Sequence, residues 1–256
     1  MSSDSKNNKS SSDNNDIVVS KDTIKRLIKD VKDIRKNPLE EDGIYYKHDD
    51  ENFMKGYAMI IGPSGSVYYG GYYFFYFDFP TDYPYSPPKL KFMTNDGVTR
   101  FHPNLYKTGK VCLSIINTWR GEAWSSCQTI RSILLTLLTI LDDKPLLHEP
   151  GLSENSPDFK KYNELITYKN VEFSILRAIS KNADKYFQKE LLNLFTTEIQ
   201  ETFEKNKQSI YDNITSLKTR EEETYVVGCY RMHQTINWSK ICHLFEKEYI
   251  LNKKMN

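Results

Sequence analysis

The chain has 256 residues, enough for one large domain, or for one domain of about 150 residues with an addition. Its formal net charge of +1 argues against a general nucleic-acid binder, because no excess of basic charge is available to neutralise phosphates. No apolar run approaches the roughly 18 residues of a membrane span, and the N-terminal stretch lacks the apolar block of a secretory signal. We therefore expect a cytoplasmic or nuclear protein that binds neither nucleic acid nor a membrane.

The N-terminal part of the chain predicts a tail followed by a helix. Residues 1–18 are mainly Ser, Asn, Asp and Lys with almost nothing to bury, so we predict a disordered tail. Ser20 suits a helix cap, and apolar residues recur behind it at helical spacing until Asn37-Pro38 ends the helix. The other face of this helix carries a row of lysines, namely Lys25, Lys29, Lys32 and Lys36.

Four segments rich in aromatic and β-branched residues come next, separated by short links that contain Gly, Pro or Asp. They are GIYYKHDD, KGYAMIIG, YYGGYYFFYFDFP and KLKFMT. Successive strands with short links predict an antiparallel meander. The many tyrosines are typical of a sheet that is packed on one face and wet on the other.

The rest of the chain predicts helices. Ser125 and Gln128 have the spacing of a capping box, and the following run IRSILLTLLTIL is apolar nearly all round, as in a buried helix. Residues 159–205 have a helical pattern, residues 206–224 are polar, and WSKICHLFEKEYIL predicts a last helix.

Taken in order, these elements predict an α+β fold. It comprises an N-terminal helix, a four-stranded antiparallel meander sheet, an irregular flap (residues 91–128) and C-terminal helices. We assign residues 19–190 to a core domain and residues 191–256 to a helical C-terminal extension.

The flap carries residues that suit chemistry, and a long irregular segment inside a compact domain is usually functional. Asn104 precedes Cys112 by eight residues, and a turn at Gly109 lets the chain fold back so that amide and thiol share one side. Sulfur accepts and releases acyl groups readily. The amide can donate a hydrogen bond to the oxyanion that forms when a thioester is attacked.

A thiol hydrolase is a weaker alternative. A hydrolase needs a base to activate its thiol, usually a histidine held by a third group. His102 is close in sequence, but no third group is apparent. A cysteine that receives an activated thioester needs no such base, because a few per cent of a free cysteine is thiolate at neutral pH.

In a reducing compartment the cysteines should be free thiols, and each could be a packed small hydrophobe. They are Cys112, Cys127, Cys229 and Cys242. Cys127 lies near the start of the second predicted helix, where the helix dipole lowers thiol pKa values, so it is the alternative nucleophile. Cys229, His233, Cys242 and His243 do not have a standard zinc spacing, so we expect buried thiols there and no metal.

The residues of the sheet and the flap resemble the ubiquitin-conjugating enzyme family over about residues 20–165. The resemblance rests on GPSGSVYYGGYYFFYFDFPTDYPYSPPKLKF, then HPNLYKTGKVCLSI, then a tryptophan and a capped helix. It implies that Cys112 carries ubiquitin as a thioester, that Asn104 supports the attack on it, and that His102 is structural and holds the flap.

The same resemblance implies a transferase with no bound cofactor, because ATP is consumed by a separate activating enzyme. The implied partners are ubiquitin or a ubiquitin-like modifier, the activating enzyme, a ubiquitin ligase and protein substrates. A second reading is an inactive binding module of the same fold, although the retained Cys112 and Asn104 argue against it. The sequence does not identify the modifier, the ligase or the substrates.

The spacing beyond the cysteine indicates a narrower resemblance. In most members a Trp-Ser-Pro sequence lies closer to the cysteine, whereas Trp124-Ser125 lies twelve residues after Cys112. The intervening residues 118–121 resemble an insertion. This longer loop, together with CLSI and HEPG, is similar to the branch that contains the Use1-type conjugating enzyme.

Partner contacts follow from the resemblance as well. Family members bind the activating enzyme through the first helix, so Lys25, Lys29 and Lys32 are candidates, with a merely solvated basic face as the alternative. Tyr85 and Ser126 lie at positions where members contact ligases. Ser126 replaces a common proline, which puts ordinary ligase pairing in doubt.

Two further expectations come from the resemblance. The turn after the second helix places a short polar or acidic side chain where the incoming lysine is oriented. LLHEPG puts His148 at or next to this position, with an ordinary surface histidine as the alternative. Pro87-Pro88 matches a site where the second proline is often cis, so we expect that bond to be cis.

Overall fold

The computed structural model describes residues 19–253, and their side chains up to Lys247. The predicted disordered tail, residues 1–18, lies outside the described residues. In the described part of the chain, no helix combines the length and apolar character that a membrane crossing requires.

The N-terminal helix and the meander sheet are confirmed. Helix α1 (Lys21–Lys36) begins at Ser20, whose hydroxyl accepts a hydrogen bond from the Thr23 backbone N–H at 3.0 Å. The sheet has the antiparallel order β1-β2-β3-β4. Its strands are β1 (Ile44–His48), β2 (Lys55–Ile61), β3 (Tyr72–Asp78) and β4 (Lys89–Phe92).

The expectation of a sheet with one wet face is wrong at its centre. Strand β3 is buried on both faces along most of its length. Phe74 packs against the rings of Phe187 and Phe195, with centroids 5.6 and 5.9 Å away. The Tyr72 hydroxyl donates to the Ile199 carbonyl at 3.1 Å. The C-terminal part of the chain therefore covers the sheet face that was predicted, from the many tyrosines, to be exposed to solvent.

The second helix, α2 (Ile130–Thr139), begins later than predicted. Thr129 caps it and forms a reciprocal capping box with Ser132. The predicted pair, Ser125 and Gln128, instead closes a turn, because the Gln128 N–H donates to the Ser125 carbonyl at 3.0 Å. A second polar pair with the same spacing, Thr129 and Ser132, is thus the true start of the helix.

The C-terminal part is more varied than the sequence pattern predicted. The predicted helical stretch 159–205 changes to a π-turn at the buried Asn170, which bonds to the Tyr69 carbonyl and the Tyr73 hydroxyl, and it is interrupted between Ile179 and Lys189. An unpredicted hairpin precedes the last helix. The elements are α3 (Phe159–Lys169), a π-turn (Asn170–Ile175), α4 (Leu176–Ile179), α5 (Lys189–Leu194), α6 (Thr196–Ser216), β5 (Glu223–Val227), β6 (Met232–Ile236) and α7 (Trp238–Lys253).

The proline loop between β3 and β4 differs from expectation in one bond. The cis peptide joins Tyr83 and Pro84, and the Pro87–Pro88 bond is not cis. Side chains from two other segments hold this part of the loop. The Tyr83 hydroxyl donates to Asp30 of α1, and the Trp124 indole donates to the Pro84 carbonyl at 2.7 Å.

Candidate active site

The flap folds back on itself at the predicted turn. Gly109 has a φ of 88°, in the left-handed region that suits glycine, and its N–H donates to the Tyr106 carbonyl at 2.8 Å. Beyond the turn, the Cys112 N–H donates to the Asn104 carbonyl at 2.9 Å. The asparagine and the cysteine therefore lie opposite one another.

The side chain of Asn104 completes this pairing. Its Nδ2 donates to the Cys112 carbonyl at 2.5 Å, and its Oδ1 is buried without a hydrogen-bond partner among the described residues. An amide nitrogen carries two N–H groups. One of them holds the loop, and the second has no partner in the part of the chain that the structure describes. A single side chain can thus fix the cysteine segment and keep one donor for an oxyanion.

Cys112 is enclosed in this conformation, with 1% of its surface exposed. The long loop that follows it (residues 113–124) forms hydrogen bonds with its own first residue, next to the cysteine. The Thr118 hydroxyl accepts from the Leu113 N–H at 2.9 Å and donates to the Leu113 carbonyl at 3.1 Å. An acyl group can reach the sulfur only when neighbouring groups move aside.

His102 is fully buried, and its geometry fits a structural part of the flap. Its Nδ1 accepts the Asn104 N–H at 2.9 Å, so the ring proton lies on Nε2, which has no partner in the described residues. Burial, followed by the electrostatic influence of the neighbouring His148 and Arg100 side chains, holds the pKa of His102 well below its ordinary value. The ring is therefore neutral and positions the Asn104 backbone.

His148 lies against this buried ring and has a carboxylate partner. The His148 and His102 centroids are 4.8 Å apart. His148 Nε2 is 2.7 Å from Asp142 Oδ2, and both side chains are about one-third exposed. A neutral imidazole that donates from Nε2 to a carboxylate keeps its lone pair on Nδ1. The structure thus supplies the third group that the sequence did not reveal, but for His148 rather than for His102.

Asp142 was missed in the sequence because it lies six residues before His148, beyond the end of α2. The only local signal was the Asp-Asp pair after an apolar helix, which is typical of an ordinary polar turn. The 3-10 turn Pro145–His148 brings the imidazole back toward the helix end. The contact between His148 and Asp142 therefore depends on how the turn folds back, which the local sequence does not reveal.

The lysines of α1 point away from the core and share their face with exposed apolar residues. Lys25, Lys29 and Lys32 are all exposed, and the Lys25 ammonium lies 3.9 Å from the exposed Asp22 carboxylate. Exposed apolar side chains lie beside them on the same helix, at Ile24 and Ile28. Both belong to the apolar residues that recur at helical spacing in the sequence, yet they are exposed.

The two predicted ligase-contact residues are also exposed. Tyr85 is 73% exposed at the proline loop, and Ser126 is exposed in the turn before α2. The Ser126 carbonyl accepts a hydrogen bond from the Arg26 guanidinium at 2.5 Å. Helix α1 therefore holds the segment on which Ser126 lies.

The remaining cysteines lie in different environments. Cys127 and Cys229 are exposed and Cys242 is buried, so the expectation of a buried thiol is wrong for Cys229. Partial desolvation of this thiol, followed by its hydrogen bond to the Asp158 carboxylate and the charge of that group, raises the pKa of Cys229 to about 11. Within the described residues, no three His, Cys, Asp or Glu side chains are grouped so that they could hold a metal ion.

Three relatives illustrate the similarity to known proteins. Ubiquitin-conjugating enzyme E2 Z of Xenopus tropicalis is 39% identical over 153 residues, which are 59% of this chain and 48% of the relative. The protein of the same name from Homo sapiens is 40% identical over 153 residues, or 59% and 43%. Probable ubiquitin-conjugating enzyme protein 17 of Caenorhabditis elegans is 31% identical over 209 residues, or 77% and 28%. The chain spans less than half the length of each relative.

The match to the family itself covers the sheet, the flap and α2. It extends over residues 26–174 and is described as "Ubiquitin-conjugating enzyme". The family resemblance inferred from the flap is therefore confirmed, while the narrower Use1-type resemblance stays a prediction. On its fold and its sequence, the chain belongs to the ubiquitin-conjugating enzyme family.

Proposed function

We propose that this protein accepts ubiquitin or a ubiquitin-like modifier as a thioester on Cys112 and transfers it to a substrate lysine. The observation that carries the proposal is the reciprocal pairing of Asn104 and Cys112 in a chain of this family. In loading, the Cys112 sulfur attacks the thioester on the activating enzyme, whose own thiolate leaves. In discharge, the lysine amine attacks the new thioester carbon, and the Cys112 thiolate leaves as the amide forms.

Asn104 and His148 have separate roles in the discharge step. The free N–H of Asn104 Nδ2 donates to the oxyanion of the tetrahedral intermediate. The Nδ1 lone pair of His148 accepts a proton from the attacking amine, and Asp142 holds the imidazole in the required tautomer. Nothing in this scheme calls for a bound cofactor, because the activating enzyme consumes the ATP.

The proposed partners contact the exposed residues described above. The activating enzyme binds the basic and apolar face of α1 through Lys25, Lys29 and Lys32. A ligase contacts Tyr85 and Ser126, and protein lysines are the acceptors. We place the protein in the cytoplasm, the nucleus or both, without contacts to nucleic acid or a membrane.

An inactive binding module is the second candidate, and the enclosure of Cys112 is the observation that favours it. Such a module would still bind modifiers or ligases through the same fold. It would form no adduct with any modifier.

A loading assay tests the proposal against this alternative. The protein is mixed with ATP and a panel of modifiers and activating enzymes, and adducts are separated with and without reductant. A reductant-sensitive adduct is expected in the wild type and in Cys127→Ser. Cys112→Ser should give a reductant-stable oxygen ester or none. A thioester that survives in Cys112→Ser and disappears in Cys127→Ser would identify Cys127 as the nucleophile. Absence of an adduct with every pair of modifier and activating enzyme would favour the inactive binding module.

A further inference from the structure

The C-terminal hairpin reaches the flap through one aromatic side chain at its tip. We propose that Tyr230 and Arg100 are positioning residues for lysine discharge, and that the hairpin β5–β6 is thereby a part of the active-site support. This inference rests on the proposed function. The observation behind it is a continuous set of contacts from the hairpin to the residues that precede Asn104 and to Glu149, which follows His148.

Arg100 holds the backbone immediately before Asn104. Its Nε lies 3.2 Å from the carbonyl oxygens of both His102 and Pro103, and its Nη2 also donates to Pro103. These two carbonyls belong to the residues that precede Asn104 in the chain. The direction of the Asn104 side chain therefore depends on where the guanidinium lies.

The guanidinium itself lies near two tyrosine rings. Its carbon is 3.2 Å from the Tyr106 centroid and 5.1 Å from the Tyr230 centroid. The Tyr162 hydroxyl donates to the Arg100 carbonyl at 2.8 Å, and the Tyr162 ring lies 5.7 Å from the ring of Tyr230. Removal of the Tyr230 ring would leave the guanidinium with one aromatic neighbour instead of two.

The hydroxyl of Tyr230 makes a second connection, to the segment that carries His148. It donates to Glu149 Oε2 at 2.6 Å, and Glu149 directly follows His148. Burial, followed by the hydrogen bond to Glu149 and the charge of that carboxylate, raises the pKa of Tyr230 well above its ordinary value. The phenol therefore stays protonated and remains a donor. One residue contacts the support of Asn104 through its ring and the support of His148 through its hydroxyl.

The tip of the hairpin is anchored, so that Tyr230 has a defined position. The Cys229 N–H donates to Asp158 Oδ2 at 2.8 Å. Burial would raise the pKa of Asp158, but the backbone N–H groups of Cys229 and Gly228 outweigh it and lower that pKa. On the next strand, Met232 Sδ accepts the Arg100 N–H at 3.1 Å. The hairpin is thus attached to the flap and to the start of α3.

The expected effects separate the ring from the hydroxyl. Tyr230→Phe keeps the ring and loses the hydrogen bond to Glu149, so lysine discharge should slow about fivefold. Tyr230→Ala loses both contacts, and a displacement of catalytic groups by about 1 Å can cost about 10²-fold. Loading by the activating enzyme should change little, because the proposed role of His148 is in the discharge step alone.

Single-turnover discharge of preloaded protein, measured over a range of free lysine concentrations, tests this expectation. The maximal discharge rate should fall in the Tyr230 variants, with smaller changes in the lysine concentration at half-maximal rate. Tyr225→Phe is the matched control, because the Tyr225 hydroxyl also donates to a carboxylate within the same hairpin, Glu223 at 2.8 Å. Wild-type discharge in both Tyr230 variants would overturn the proposal. So would equal losses of loading, discharge and thermal stability, which indicate a purely structural role.

A second measurement does not depend on any modifier. The rate at which iodoacetamide alkylates Cys112 is followed by peptide mass spectrometry in the wild type, Tyr230→Ala and Tyr225→Phe. Iodoacetamide should alkylate Cys112 several times faster in Tyr230→Ala than in the wild type, because the flap is less firmly held. The rate in Tyr225→Phe should match that of the wild type. Equal rates in all three proteins overturn the hairpin proposal. Absence of any adduct in the wild-type loading assay instead overturns the proposed function.

Discussion

At the scale of single residues, the candidate site combines two buried side chains with two that are about one-third exposed. Asn104 and His102 are buried and organise the backbone around Cys112. His148 and Asp142 lie at the surface, where they are accessible to the lysine of the proposed reaction. The buried pair belongs to the motif that carries the family resemblance. Of the surface pair, His148 was a candidate from the sequence, and its partner Asp142 was found only in the structure.

Asn104→Ala should leave loading nearly intact and slow lysine discharge. Loss of one oxyanion donor typically costs about 10²–10³ in rate. The substitution also removes the hydrogen bond to the Cys112 carbonyl, so the thermal unfolding midpoint must be measured alongside single-turnover discharge. Equal discharge rates in variant and wild type would leave Asn104 only its loop-holding role.

His148→Ala should reduce lysine discharge by at least about 10²-fold, the lower range for general-base catalysis. Asp142→Asn should cause part of that loss, because the imidazole loses the carboxylate that fixes its tautomer. Asp143→Asn is the matched control, since it removes the same charge from the neighbouring residue. Discharge that falls equally in Asp142→Asn and Asp143→Asn would point to overall charge instead of to a proton acceptor.

At the scale of elements, the sequence predicted what depends on local pattern and missed what depends on distant contacts. Periodicity and turn residues were sufficient for α1, the four strands and the turn at Gly109. The start of α2 was misplaced because two polar pairs have the same spacing, and only backbone geometry distinguishes them. The hairpin β5–β6 was missed because its strands alternate little between buried and exposed residues.

The long loop between Cys112 and α2 should control access to the sulfur. Thr118→Val removes the hydroxyl that bonds both the N–H and the carbonyl of Leu113, a loss of about 1 kcal/mol per hydrogen bond. We expect faster alkylation of Cys112 by iodoacetamide, measured by peptide mass spectrometry. Thr139→Val is the matched control, because its hydroxyl bonds only the Leu135 carbonyl within α2. Unchanged alkylation in Thr118→Val would show that other groups enclose Cys112.

At the scale of the whole molecule, the core domain and the extension share one hydrophobic core. The buried side chains form a single cluster that runs from α1 through the sheet to α7. The predicted boundary at residues 190 and 191 therefore lies within a packed region, beside Leu191 and Phe195 of the extension. The boundary stays a prediction, but the contacts argue that the sheet needs the extension as a cover.

Acid should destabilise the whole protein through His102. Its pKa is held low in the folded state, so below the ordinary histidine pKa of about 6.5 the unfolded chain binds a proton that the folded chain does not. Stability from this group is present above pH 6.5 and is lost as the pH falls, by at most about 1.4 kcal/mol per pH unit. His48, whose pKa burial also lowers, adds a smaller effect of the same sign.

Chemical unfolding of the wild type and His102→Asn between pH 7.5 and 5.5 measures this effect. The asparagine can still accept the Asn104 N–H but does not titrate, so the free energy of unfolding should fall less with acid than in the wild type. The exposed His233, changed to Asn, is the control and should keep the wild-type slope. Parallel slopes in wild type and His102→Asn would mean that His102 takes up its proton in the folded state.

Phe195→Ala should test whether the extension is structurally inseparable from the sheet. Phe195 is fully buried, lies against Phe74 of β3, and has the Lys47 ammonium 5.3 Å from its centroid. Truncation of a buried phenylalanine typically costs about 3–5 kcal/mol, because a cavity adds to the lost apolar transfer energy. Phe53→Ala, at a position with 37% of the residue exposed, should cost much less. Denaturant unfolding of both variants compares the two free energies. One cooperative transition with a midpoint lowered by Phe195→Ala is the result expected of a shared core. Two separate transitions, with only one of them shifted by Phe195→Ala, would mean that the extension folds independently of the sheet that it covers.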